Sequence, residues 1–79
     1  MDYYRIIDLY HPHYLEQRLE DATNALAPLQ PGDKIMIRPS RQETVEYILY
    51  LLTESSMKIP DKLFNFYTYP DTVMVECLY

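Results

Sequence analysis

Two histidines flank a proline at positions 11 to 13, and imidazole is a side chain that binds transition metals and titrates near neutral pH. A metal site needs a third or fourth ligand, for which Asp8, Glu16 and Cys77 are the available side chains. A structural interpretation is also available, in which His11 caps a helix that begins at Pro12 and His13 lies in its first turn. We predict no metal site and regard His11 and His13 as candidate binding residues.

A second polar group, Arg38, Ser40 and Arg41, lies where a helix is predicted to begin. Free N–H groups at a helix N-terminus attract anions, and two guanidinium groups beside them could hold a phosphate or carboxylate. Alternatively, Ser40 and Glu43 form a Ser-x-x-Glu capping box and the arginines pair with surface acids. The one glycine, Gly32, lies elsewhere, so a glycine-rich phosphate loop is excluded. These three residues are candidate binding residues.

Cys77 is the single thiol, so an internal disulfide is impossible and a reducing, cytoplasmic location is expected. It could serve a sulfur or redox carrier, which requires a reactive thiolate. Strand alternation instead places Cys77 with Val75 on a face that we expect to pack against helices, where a free cysteine behaves as a small apolar side chain. The sequence shows no nucleophile elbow or acid–base pair, so we predict a protein without catalytic residues or cofactor.

Composition excludes several classes of function. Twelve acidic and seven basic residues give a net charge of −5, which argues against a nucleic-acid binder. No apolar run is long enough for a membrane span or secretory signal, and 79 residues predict one domain over 1–79. An acidic inhibitor that mimics nucleic acid stays open as an alternative. Its carboxylates would be Glu16, Glu20, Asp21, Glu43, Glu46 and Glu54.

Hydrophobic periodicity predicts six elements. Residues 3–9, 63–69 and 72–79 are strand-like runs rich in aromatic and β-branched side chains, and the apolar run 35–37 predicts a central strand buried on both faces. One helix should begin at Pro12 and end before Pro28, and a second should begin at the Ser40–Glu43 capping box and end near Ser55. The predicted buried face of the first helix and its extension is Leu15, Leu19, Ala22, Leu26 and Leu29; that of the second is Val45, Ile48, Leu49 and Leu52.

The resulting order β-α-β-α-β-β predicts an α+β, two-layer α/β sandwich. Its four-stranded mixed sheet would carry both helices on one face. Pro70 and Asp71 separate the last two strands closely enough to predict a hairpin.

Nine tyrosines in so short a chain cannot all be buried, because each hydroxyl needs a partner. The strand at 63–69 is apolar or aromatic on both faces, so a second face of the sheet should also be covered. We predict a homodimer or another protein partner, bound through the open sheet face or the final edge strand. The candidate interface residues are Tyr67, Tyr69 and Tyr79.

The order of elements and the stretch at 26–52, with its Leu29-Gln30-Pro31-Gly32-Asp33 turn, resemble the TusA/SirA-like family of small sulfur-transfer and regulatory proteins. The resemblance implies a strand-to-helix segment Cys-Pro-x-Pro whose cysteine carries a persulfide. Pro12 matches the first proline of that segment, whereas His11 replaces the cysteine and Tyr14 the second proline. The resemblance therefore implies a divergent member that kept the scaffold without sulfur transfer at the usual position.

Overall fold

The structure is a computed structural model that describes residues 5–9 and 12–79. The beginning of the predicted first strand, with Tyr3 and Tyr4, and the predicted His11 cap lie outside the described residues. The elements follow the predicted order, and the α+β class with a four-stranded mixed sheet is confirmed. They are β1 (Arg5–Asp8), α1 (Leu15–Leu26), β2 (Lys34–Arg38), α2 (Val45–Ser56), β3 (Phe64–Thr68) and β4 (Val73–Cys77).

The sheet has the strand order β1-β2-β4-β3, in which β1 and β2 are parallel and the other neighbours are antiparallel. The predicted hairpin is confirmed, since Tyr69 N donates to Thr72 O at 2.9 Å. The hairpin turns β4 inward against β2, where Ile37 is opposite Val73. The expectation that the final strand forms an edge is therefore wrong, and the edges are β1 and β3.

The hydrophobic core lies between one sheet face and the two helices. Because the helices cover only that face, β2 buries Ile35 and Ile37 while Met36 on the other face is half-buried. The prediction that β2 is buried on both faces is wrong for this reason. The buried apolar residues are Ala22, Leu26, Leu29, Ile35, Ile37, Ile48, Leu51, Leu52, Phe64, Val73, Val75 and Cys77.

Helix α1 begins later than predicted. Tyr14 holds the N-cap position in extended conformation, so Pro12 and His13 precede the helix and His13 is not in its first turn. The buried face is also rotated: Leu15 is 45% exposed, whereas Arg18 is 2% exposed and lies on the face of Ala22 and Leu26. Residues four apart share one helix face, so Arg18 takes a place that the pattern of leucines had assigned to Leu15.

Helix α2 has Thr44 as its N-cap, and the Thr44 hydroxyl accepts a hydrogen bond from Tyr47 N at 3.1 Å. The predicted capping box is therefore wrong. Ser40 and Glu43 instead close a turn ahead of the helix, in which Glu43 N donates to Ser40 O at 3.1 Å. This turn leaves the Glu43 carboxylate outside the first helical turn and close to Arg18.

Candidate functional site

The sheet face opposite the helices, here called the open face, carries a line of apolar side chains across all four strands. Strand register places Ile6 opposite Met36, Met36 opposite Met74, and Met74 opposite Tyr67. Ile6 is 54% and Tyr67 41% exposed, and the two methionines are half-buried. We call these four residues the apolar row. Side chains directly opposite each other in neighbouring strands are in contact range, so the row forms one continuous stripe.

Charged pairs border the apolar row on both sides. On one side, two residues after Ile6 and Met36 in their strands, Asp8 and Arg38 form an ion pair. Arg38 Nε donates to Asp8 Oδ1 at 2.5 Å and Arg38 Nη2 donates to Asp8 Oδ2 at 3.2 Å. On the other side, two residues from Met36 and Met74 in their strands, Lys34 Nζ lies 4.0 Å from Glu76 Oε2. The Tyr67 hydroxyl donates to Glu76 Oε1 at 3.3 Å. The open face therefore has an apolar centre between two polar borders, which is the usual plan of a protein interface.

The three candidate interface tyrosines are all exposed, but they occupy different places. Tyr67 belongs to the apolar row, whereas Tyr69 follows β3 and Tyr79 follows β4. Tyr69 lies beside the hairpin turn, and Tyr79 O accepts a hydrogen bond from Leu63 N at the opposite end of the hairpin. Of the three, Tyr67 is the one that the strand register joins to other apolar side chains, so the case for an interface is strongest there.

Arg38, Ser40 and Arg41 are brought together, as adjacency predicts, in a shallow pocket with Asp8, Leu9 and Pro39 at the carboxyl ends of β1 and β2. The pocket lies in the loop before α2, because that helix begins at Val45 rather than near Ser40. The anion hypothesis thus loses the helix N-terminus on which it depended. Arg38 is also already paired with Asp8.

Ser40 makes this pocket unusual, since the residue is 4% exposed and its hydroxyl has no hydrogen-bond partner within the described part of the chain. A buried polar group without a partner costs about 1–3 kcal/mol. We therefore expect Ser40→Ala to raise the free energy of unfolding by about 1 kcal/mol in urea denaturation.

Ser55 offers a matched control, because it is equally buried and its hydroxyl donates to Leu19 O at 3.1 Å. Ser55→Ala should lower the free energy of unfolding by about 1 kcal/mol. Equal losses in both variants would show that the Ser40 hydroxyl is partnered in solution.

A buried ionic cluster, missed in the sequence, joins α1 to the turn before α2. Arg18 Nε donates to Glu43 Oε2 at 2.8 Å, Arg18 Nη2 donates to Glu43 Oε1, and Arg18 Nη1 donates to Asp21 Oδ2 at 2.9 Å. The exposed fractions of the Arg18 and Glu43 side chains are 2% and 5%. Burial lowers the pKa of the guanidinium, but the hydrogen bonds and charges of Glu43 and Asp21 outweigh it and raise that pKa above its ordinary value.

The cluster is structural rather than catalytic in its geometry, because all three donor nitrogens of Arg18 are occupied. A cavity of about 30 Å³ lies beside it, lined mainly by apolar side chains and far below the roughly 150 Å³ of a cavity that holds benzene. The sequence signal available was the Arg18–Asp21 spacing of three residues, with Ala22 and Leu26 following Arg18 at steps of four.

No protein-family model, curated protein or solved structure matches the chain.

His13 is exposed in the segment before α1, and Cys77 is 1% exposed on the inner sheet face, as the strand alternation predicts. The Cys77 Sγ lies 3.8 Å from the carbonyl oxygens of Leu29 and Tyr79. Among residues 5–9 and 12–79, no three His, Cys, Asp or Glu side chains converge as metal ligands. Neither helix described has the length and apolarity needed to cross a bilayer.

Proposed function

We propose that this protein is a small non-catalytic interaction or regulatory domain of the cytoplasm that binds another protein molecule through its open face. The observation that carries the proposal is the apolar row, which crosses every strand on the face that the helices leave uncovered. A contiguous apolar stripe with a polar border marks an interaction surface, whereas isolated exposed apolar residues do not. The partner is either a second copy of this chain or a different protein.

The composition of the apolar row supports a protein partner. Met36 and Met74 have flexible, polarisable side chains that adapt to an opposing surface, and such residues are common at binding surfaces. Tyrosine is enriched among the residues that dominate binding energy, and Tyr67 can contribute both its ring and its hydroxyl. The net charge of −5 disfavours a nucleic acid as the partner.

Membership of the TusA/SirA-like family remains part of this proposal. The order of elements, with its closing hairpin, agrees with what the resemblance implies. Because His11 stands where the family has its persulfide cysteine, we propose that the chain kept the scaffold and does not transfer sulfur at that position.

The two alternatives receive less support from the described contacts. A carrier that uses Cys77 would have to open the core, because the thiol is 1% exposed and faces the helices. An acidic nucleic-acid mimic would lose two of its six carboxylates, since Glu43 and Asp21 are committed to Arg18.

Site-specific photo-crosslinking tests the proposal. A photoreactive phenylalanine analogue placed at position 67 should yield a covalent protein adduct in cells, because the Tyr67 ring lies in the apolar row. The same analogue at position 24 is the control, since Asn24 is exposed on α1, which packs on the opposite side of the sheet. Adducts formed equally from both positions, or from neither, would overturn the proposal. The mass of the adduct distinguishes a second copy from another protein.

A further inference from the structure

We infer that the occupant of the open face is a second copy of this chain, packed face to face about a two-fold axis parallel to the strands. This inference rests on the proposed function and specifies its partner.

The strand order makes the open face self-complementary about such an axis. An axis that runs between β2 and β4 places β2 over β4 of the second copy and β1 over β3 of the second copy, because the sheet order is β1-β2-β4-β3. Rotation about this axis leaves height along the strands unchanged. The apolar row therefore covers itself, with Met36 over Met74 of the second copy and Ile6 over Tyr67 of the second copy. Facing sheets pack about 10 Å apart in this manner, turned by about 30°.

The charges beside the apolar row select this axis over the alternative. Lys34 and Glu76 are register partners on β2 and β4, so the same rotation brings each Lys34 over Glu76 of the second copy. Two ion pairs therefore form across the interface, one on each side of the axis. An axis perpendicular to the strands would place Lys34 over Arg38 of the second copy, and like charges facing each other across an interface are unfavourable.

The size of the open face predicts a weak, reversible dimer. Four strands about 4.8 Å apart and about five residues long form a platform of about 19 by 17 Å. In projection this is about 320 Å², below the roughly 800 Å² per partner of a stable interface. Dimerisation should therefore depend on protein concentration.

Charge reversal with mixing tests the inference. Lys34→Glu alone places two glutamates opposite two glutamates, and Glu76→Lys alone places two lysines opposite two lysines. Each variant should weaken dimerisation at least about tenfold in sedimentation velocity. In a one-to-one mixture the two variants should form a heterodimer with about the affinity of the wild-type dimer. Native mass spectrometry identifies the heterodimer. In that heterodimer both cross-interface pairs again join opposite charges.

The mixture separates association from stability, because each chain in it still lacks its internal Lys34–Glu76 pair. Glu20→Lys is the control, since it changes charge equally on the exposed side of α1 and should leave dimerisation unchanged. A mixture that stays monomeric would overturn the inference, as would a Lys34→Glu variant that dimerises more tightly by facing Arg38. A wild-type monomer at about 500 µM would overturn it as well. The proposed function would still stand if position 67 crosslinks to a different protein.

Discussion

Glu43→Gln should lower the free energy of unfolding by about 3 kcal/mol. The substitution keeps the size of the side chain and removes the charge that faces Arg18, leaving a guanidinium that is 2% exposed with Asp21 as its remaining anionic partner. Breaking a buried ion pair from one side costs about 3–5 kcal/mol, and Asp21 places this case at the lower end. The total free energy of unfolding of a small domain is about 5–15 kcal/mol, so urea denaturation should show a large shift of the midpoint.

The double variant Arg18→Met and Glu43→Leu should recover most of that loss, because it removes both charges and refills the site with apolar side chains. Asp8→Asn provides the control, since the Asp8–Arg38 pair is 33% and 49% exposed and such pairs contribute about 0–1 kcal/mol. If Glu43→Gln cost no more than Asp8→Asn, the cluster would be open to water in solution.

Leu26→Ala should lower the free energy of unfolding by about 2–5 kcal/mol, whereas Leu15→Ala should change it by less than about 1 kcal/mol. Both leucines are in α1, but Leu26 is 0% and Leu15 45% exposed. Truncation of a buried leucine loses transfer free energy and leaves a cavity, while truncation of an exposed one does neither to the same extent. Thermal and urea unfolding of the two variants would measure the difference. If both variants lost the same free energy of unfolding, Leu15 would be buried as the leucine spacing predicts, and the rotation of α1 would be wrong.

The order of elements could be predicted because each depends on local signals. Two strand-like runs, 63–69 and 72–79, separated only by Pro70 and Asp71 are sufficient for a hairpin, and the three-four spacing of leucines is sufficient for α1. Which face of α1 is buried could not be predicted from local signals. Arg18 is charged and reads as a solvent residue, and its burial depends on Glu43, which lies 25 residues away.

The open face required information that local patterns lack. Alternation alone assigns Met74 and Tyr67 to faces of their own strands, but the apolar row exists because β4 inserts between β2 and β3. That pairing is set by long-range contacts rather than by the residues of any one strand. The grouping of Arg38, Ser40 and Arg41 was predicted from their proximity in sequence. The prediction that they lie at the start of α2 was wrong, because Thr44 rather than Ser40 is the N-cap.

The internal position of β4 has a consequence for synthesis on the ribosome. The strand that joins β2 to β3 is the last of the six elements to be made, so β2 keeps one side of its backbone without a hydrogen-bonding neighbour until residues 73–77 emerge. During that interval the inner side chains of both helices also lack Val73, Val75 and Cys77 beneath them. Non-local strand pairing of this kind slows folding and prolongs the exposure of apolar surface that is later buried. The core therefore closes only when the sixth element is in place.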